Sequence, residues 1–210
     1  MRLRMILLSS LVVVPVGGLF GGWAVVTVEN PPERLVVGTP YAIEYSVRQH
    51  GKELLTGLRG IVEARAGGQV VRANAKAIDT GKYSASIAVP AAGSWTITVN
   101  SGFGKSMTTM RPIAAVPAGT PVVAMSDSER GQHLFSAKGC VTCHVEMKVI
   151  PTDVRTNKYD EKFVKQLLAD PAAMPKRHQA GVEMPNLHLK PSEIGALAAY
   201  LAGTNSTGTR

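Results

Sequence analysis

Cys140-Val141-Thr142-Cys143-His144 reads C-x-x-C-H and holds both cysteines of the 210-residue chain. Two thiols three positions apart can each form a thioether to a vinyl group of one porphyrin. The imidazole directly after the second thiol then falls below the ring, where it can bind iron as the proximal ligand. The spacing therefore points to one haem c held covalently through Cys140 and Cys143, with His144 on the iron. A zinc site would call for further thiols or well-spaced histidines. A thioredoxin-type C-x-x-C would sit in a βαβ setting, and none surrounds this run.

The sequence on either side of the motif has a helical period. Ser126-Asp127-Ser128-Glu129 has the S-x-x-E form of a capping box and opens a helix reaching about Lys138, with Gly131 and Phe135 on one face. A second helix fits Asp160–Ala169, where Phe163, Val164, Leu167 and Leu168 form one stripe and Pro171 lies just past the end. A third fits Pro191–Leu201, with Ile194, Leu197 and Leu201 as its apolar ridge.

Four elements together resemble the small monohaem class I cytochrome c domains of bacteria. They are G-x-x-L-F-x-x-x-G-C-x-x-C-H from Gly131 to His144, the turn Ala169-Asp170-Pro171, the run Met184-Pro185-Asn186-Leu187, and the helix Ser192 to Leu201. The resemblance implies an all-α domain over residues 126–210. It also implies that the first and last helices cross, with Gly131 and Phe135 against Leu197, Tyr200 and Leu201. It places the sixth iron ligand at Met184, which lies 40 residues after His144 in a Met-Pro loop between helices. Met147, Met174, His178 and His188 are the other side chains after the motif with suitable donors. Pro151 corresponds to the family proline whose carbonyl accepts the His144 N–H and orients the ring. Lys190 departs from the family, which has a capping Ser or Thr before the last helix.

The front half has period two. Candidate strands are Ala24–Val28, Arg34–Val37, Ala42–Arg48, Gly60–Arg65, Gln69–Ala77, Tyr83–Val89, Ser94–Val99 and Ser106–Ile113, divided by Gly-, Pro- and Asn-containing turns. Short strands so spaced, with no helical pattern among them, indicate an all-β immunoglobulin-like sandwich over residues 23–113, with Tyr83 and Trp95 pointing inward. The segment resembles the FixH-like or YtkA-like β-domains of exported bacterial proteins. The match rests on W-A-V-V-T-V-E-N-P-P from Trp23, on Val47 to Gly51, and on Gly81-Lys82-Tyr83 leading to Pro90 and Gly93-Ser94-Trp95. His50, Met107 and Met110 are its only imidazole or thioether groups, and residues three apart on a strand face opposite sides. The uncharged stretch 114–125, rich in Ala, Pro and Gly, reads as a linker.

Residues 1–22 begin with Arg2 and Arg4 and continue into the apolar run Met5–Val14, the layout of an export signal or, uncleaved, of an N-terminal membrane anchor. Either places the mature chain in the periplasm or on the outer face of the cytoplasmic membrane, where haem c is attached. The formal charge is +8, and residues 1–125 hold 12 of the 23 basic groups but only 6 of the 15 acidic ones. No basic run is interleaved with aromatics, so nucleic acid is not an expected partner. The expected function is single-electron transfer rather than enzymatic turnover, with redox proteins such as a terminal oxidase or a quinol-oxidising complex as partners. The alternative is a redox- or copper-related assembly or sensing protein whose β-domain binds a partner.

Overall fold

The computed structural model describes residues 22–147, 154–155, 159–173 and 183–203. The export-segment reading, apart from Gly22, and the assignments to Pro151, Met174 and His178 lie outside these residues. Among the described residues, no helix is long and apolar enough to cross a membrane.

The front unit is built of β1 (Ala24–Val28), β2 (Leu35–Val36), β3 (Tyr41–Gln49), β4 (Glu53–Leu54), β5 (Ile61–Ala66), β6 (Gln69–Asn74), β7 (Lys76–Asp79), β8 (Lys82–Ile87), β9 (Gly93–Asn100), β10 (Met107–Thr109) and β11 (Ile113–Val116). One sheet runs β1-β3-β8-β7 with β4 alongside β3. The other runs β2-β11-β9-β5-β6 with β10 alongside β9. Pairing is antiparallel except between β2 and β11. Alternation sends Ile43, Tyr45 and Val47 of β3, Tyr83 and Ile87 of β8, and Trp95, Ile97 and Val99 of β9 into one core between the sheets. Tyr83 is fixed there by its hydroxyl, which donates to the Leu55 carbonyl at 2.7 Å.

Three boundaries differ from the sequence reading. The run Gln69–Ala77 is two strands, because the chain changes sheets at Ala75, whose N–H bonds to the Gly60 carbonyl at 2.9 Å. The run Ser106–Ile113 is broken before Pro112, which has no N–H to give a ladder. The final strand continues to Val116, inside the stretch 114–125 read as linker, because Ala115 and Val116 pair with Leu35 and Val36. Within 114–125 Ala115 alone is buried, as part of the β core.

The second unit contains α1 (Asp127–Ala137), α2 (Glu161–Ala169) and α3 (Pro191–Gly203). The capping box at the start of α1 forms: Ser126 Oγ accepts from Glu129 N–H, and Glu129 Oε2 accepts from Ser126 N–H at 2.9 Å. Asp160 caps α2, accepting from Phe163 N–H at 3.0 Å. Helices α1 and α3 touch backbone to backbone at Gly131, where a Cβ would overlap the Ala196 carbonyl oxygen and come within 2.7 Å of Tyr200 Cβ. Phe135 and Tyr200 pack above that point, with ring centroids 5.9 Å apart.

The other face of α1 lies on the β-unit. Ala137 is fully buried in the β core. Thr108 Oγ1 donates to the Ser136 carbonyl at 2.9 Å, and Arg130 pairs with Glu33 at 2.8 Å. His133 is buried in this seam, and its Nε2 has no hydrogen-bond partner among the described residues.

Two outcomes follow from this packing. Gly131→Ala must force the helices apart, at a cost of about 1–3 kcal/mol for overpacking, measurable as a lower guanidinium midpoint. Burial, which outweighs the opposing Pro32 hydrogen bond and the Glu33 carboxylate, holds the His133 pKa below its usual 6.5, with Arg111 adding to the shift. The unfolded chain then binds the extra proton first. Stability is full above pH 6.5 and falls as the pH drops below it, and His133→Gln should flatten that slope in denaturation curves taken from pH 8 to 5.

Candidate functional site

Helix α1 ends at Lys138, whose N–H bonds to the Leu134 carbonyl, and Gly139 turns the chain out of the helix with φ +78°. Only glycine takes this conformation without strain. It also leaves no room for a side chain, since a Cβ at Gly139 would lie 2.6 Å from the Val26 carbonyl oxygen and 2.9 Å from Val25 Cγ1. From Thr142 to Glu146 the backbone makes one wide helical turn, with Met147 N–H reaching back five residues to the Thr142 carbonyl at 2.9 Å. Such turns recur at functional sites. This one carries Cys143 and His144, the latter with its ring 6.5 Å from Phe135.

Cys140, Cys143, His144 and Met184 line a single cleft together with Val25, Lys138, Gly139, Glu183, Pro185 and Leu187. The structure thus brings together the attachment motif and the Met184 loop, which are 40 residues apart in sequence. His188 is exposed with φ +50°, held by its N–H to Asn186 Oδ1 at 2.9 Å, and does not line the cleft. Met147 is 38% exposed and also stands outside it.

Burial pushes the Cys140 thiol up to about 12, and the neighbouring Cys143 adds to the shift. Cys143 is raised as well, first by burial and then by Glu146. Both are free thiols, so they are protonated near neutrality. Among the described residues no group of three His, Cys, Asp or Glu side chains gathers as a metal site. Two thiols, an imidazole and a thioether line the cleft, a set suited to haem, and the Glu183 carboxylate at its lip pairs with Lys52. The small core behind them leaves Val141, Val145, Phe163, Met184, Leu189 and Ile194 only partly buried. Of these, Met184 lines the cleft, so an apolar planar group held there would cover it.

Lys138 is held by a junction that composition does not reveal. Its ammonium pairs with Glu193 Oε1 at 2.9 Å, with both side chains more than nine-tenths buried, and donates to the Glu29 carbonyl at 3.0 Å. Glu193 Oε2 accepts from Lys190 N–H at 2.9 Å, the reciprocal half of a capping box whose side-chain half Lys190 cannot supply. In the β-unit, Met107 is 44% exposed and Met110 is 1% exposed in the core. His50 is exposed in a turn at φ +51°, its ring 5.5 Å from Trp23. Met107 and Met110 therefore do not share a metal site. Sequence reasoning passed over Val25, Lys138 and Glu193. The five apolar or small residues of Ala24–Val28 were the available signal, since a half-buried strand would alternate.

Residues 128–205 match the Cytochrome c family model. The chain is thus a β-sheet region followed by a helical cytochrome c domain, which implies covalent haem c and haem-based electron transfer. No curated protein matches the sequence. Solved structures similar to part of the chain include a candidate glycoside hydrolase from Bacteroides vulgatus (12% identity, TM-score 0.35, covering 46% of this chain and 19% of that one). The Lin-41 filamin domain is another (15% identity, TM-score 0.34, 46% of this chain and 86% of that one). Domains 1–6 of surface layer protein SbsC are a third (20% identity, TM-score 0.34, 48% and 14%). The chain therefore spans about a fifth of the hydrolase's length.

Removing Glu193 leaves the Lys138 cation buried beside the cleft. Glu193→Leu should cost about 3–5 kcal/mol, whereas the double change Lys138→Met with Glu193→Leu should recover most of it. Chemical denaturation of the three proteins gives the comparison.

Proposed function

We propose that the protein is an exported single-haem electron carrier with His144 and Met184 as the axial ligands of iron. The observation that carries this reading is the convergence of Cys140, Cys143, His144 and Met184 on one cleft. When bound, haem supplies a one-electron Fe(II)/Fe(III) couple. The chain's own residues do the rest. Cys140 and Cys143 can each add their S–H across a vinyl group, a step needing no oxidant, and so fix the ring in place. His144 would approach iron from the attachment side and Met184 from the loop between α2 and α3. With both axial positions filled by protein, no site stays open for a substrate, which suits transfer rather than turnover. Methionine and histidine together favour a high potential, fitting delivery to a terminal oxidase or uptake from a quinol-oxidising complex.

The front unit fits an immunoglobulin-like sandwich of the FixH-like or YtkA-like kind, supported by its two sheets over one core. The basic, apolar start of the chain supports a location in the periplasm or on the outer membrane face, where haem c is attached. The excess of basic groups over residues 1–125 suits brief docking to acidic redox partners.

Purified protein should show low-spin six-coordinate haem with a methionine-to-iron charge-transfer band in the near infrared, and Met184→Ala should lose that band. A high-spin wild-type spectrum, or a Met184→Ala spectrum identical to wild type, would refute the ligand assignment.

A further inference from the structure

We propose that the β-unit is part of the haem site itself: Val25, on the outward face of β1, forms a wall of the cleft, so that both units set the iron's redox behaviour. The inference rests on the reading of the cleft as a haem site.

The argument begins with the burial of β1. Among the described residues it is the edge strand of its sheet, paired only with β3, yet all five residues from Ala24 to Val28 are buried. Ala24, Val26 and Val28 face the β core. Val25 and Thr27 point the opposite way, as alternation demands, and are 2% and 1% exposed. Their cover is the cytochrome unit. Thr27 Oγ1 donates to the Lys138 carbonyl at 3.3 Å. Val25 belongs to neither apolar core and instead lines the cleft between the motif and the Met184 loop.

Contact occurs on both lips of the cleft. On the attachment side, Gly139 lies flush against Val25 and Val26. On the other, Gly51 meets Pro185, with a Cβ placed on Gly51 lying 3.4 Å from Pro185 Cγ, and Lys52 pairs with Glu183 at 3.2 Å. Glu183 and Pro185 flank Met184. The β-unit therefore spans the cleft from one lip to the other, and Val25 faces the space between.

A valine in that position replaces water. Oxidised haem carries one more positive charge than reduced haem, and an apolar wall withdraws solvent that would stabilise the charge. The wall thus favours Fe(II). A hydroxyl on the same side chain should shift the balance toward Fe(III) without changing its volume.

The test is a spectroelectrochemical titration of the full-length holoprotein carrying Val25→Thr, with Val25→Ala as a second variant that admits water by loss of volume. Val70→Thr, 41% exposed on β6, is the control. At a fixed poise both Val25 variants should lower the Fe(II):Fe(III) ratio by about threefold to tenfold, tenfold being about 59 mV for one electron. Their low-spin spectrum should be intact, and Val70→Thr should titrate as wild type. Val25 variants that keep the spectrum and the wild-type midpoint would overturn the wall, as would an equal shift in Val70→Thr. A wild-type protein that carries no covalent haem would instead overturn the underlying functional reading.

Discussion

The last turn of α1 is the point on which the cytochrome unit depends. Lys138 occupies it, and its buried ammonium joins Glu193 at the start of α3 and the carbonyl of Glu29 just past β1. Its own carbonyl accepts from Thr27 of β1. A buried ion pair repays its desolvation only when the remaining hydrogen-bonding capacity is met. Here Glu193 also accepts the Lys190 N–H, so both of its oxygens are engaged. What the pair secures is position more than stability. Two residues later the chain reaches Cys140, so the attachment loop leaves from a point tied to two helices and a strand.

Much of the site was legible because it is local. C-x-x-C-H places its donors by spacing alone, and S-x-x-E announced the helix that leads into it. Met184 was legible only through the family resemblance, because nothing in a Met-Pro dipeptide specifies what it faces. The strands followed from their period, and Trp95 and Tyr83 are buried as the alternation required. Sheet changes were less visible: Gln69–Asn74 and Lys76–Asp79 form one continuous pattern, and only the packing of two sheets at a corner divides them. Lys138 resembled an ordinary solvated charge, since a buried cation is defined by partners 55 and 109 residues away (Glu193 and Glu29).

The seam also explains how so small a helical unit is supported. A domain of this size has little apolar surface to bury, and its core draws on short helices with several members only partly covered. Helix α1 compensates by being enclosed on two sides. Gly131 and Phe135 meet α3, while His133 and Ala137 are buried toward the β-unit. Val122 and Val123 in the connecting stretch are 69% and 90% exposed, so the connection contributes no core. The units are held together by α1, the attachment loop and the Met184 loop packing on the β-unit rather than by the chain that joins them.

Gly139 shows how closely the two units are matched. Its φ of +78° would alone favour glycine, and its approach to Val26 would alone exclude a side chain. A turn that needed only the first could have stood clear of the β-unit, with water between. A close approach that needed only the second could have used ordinary backbone geometry. Both constraints fall on the residue before Cys140, which means the strand is packed against the attachment loop with no slack to absorb movement. A displacement of β1 must therefore reach the loop that carries Cys140, Cys143 and His144, and this makes the front unit a structural part of the site it covers.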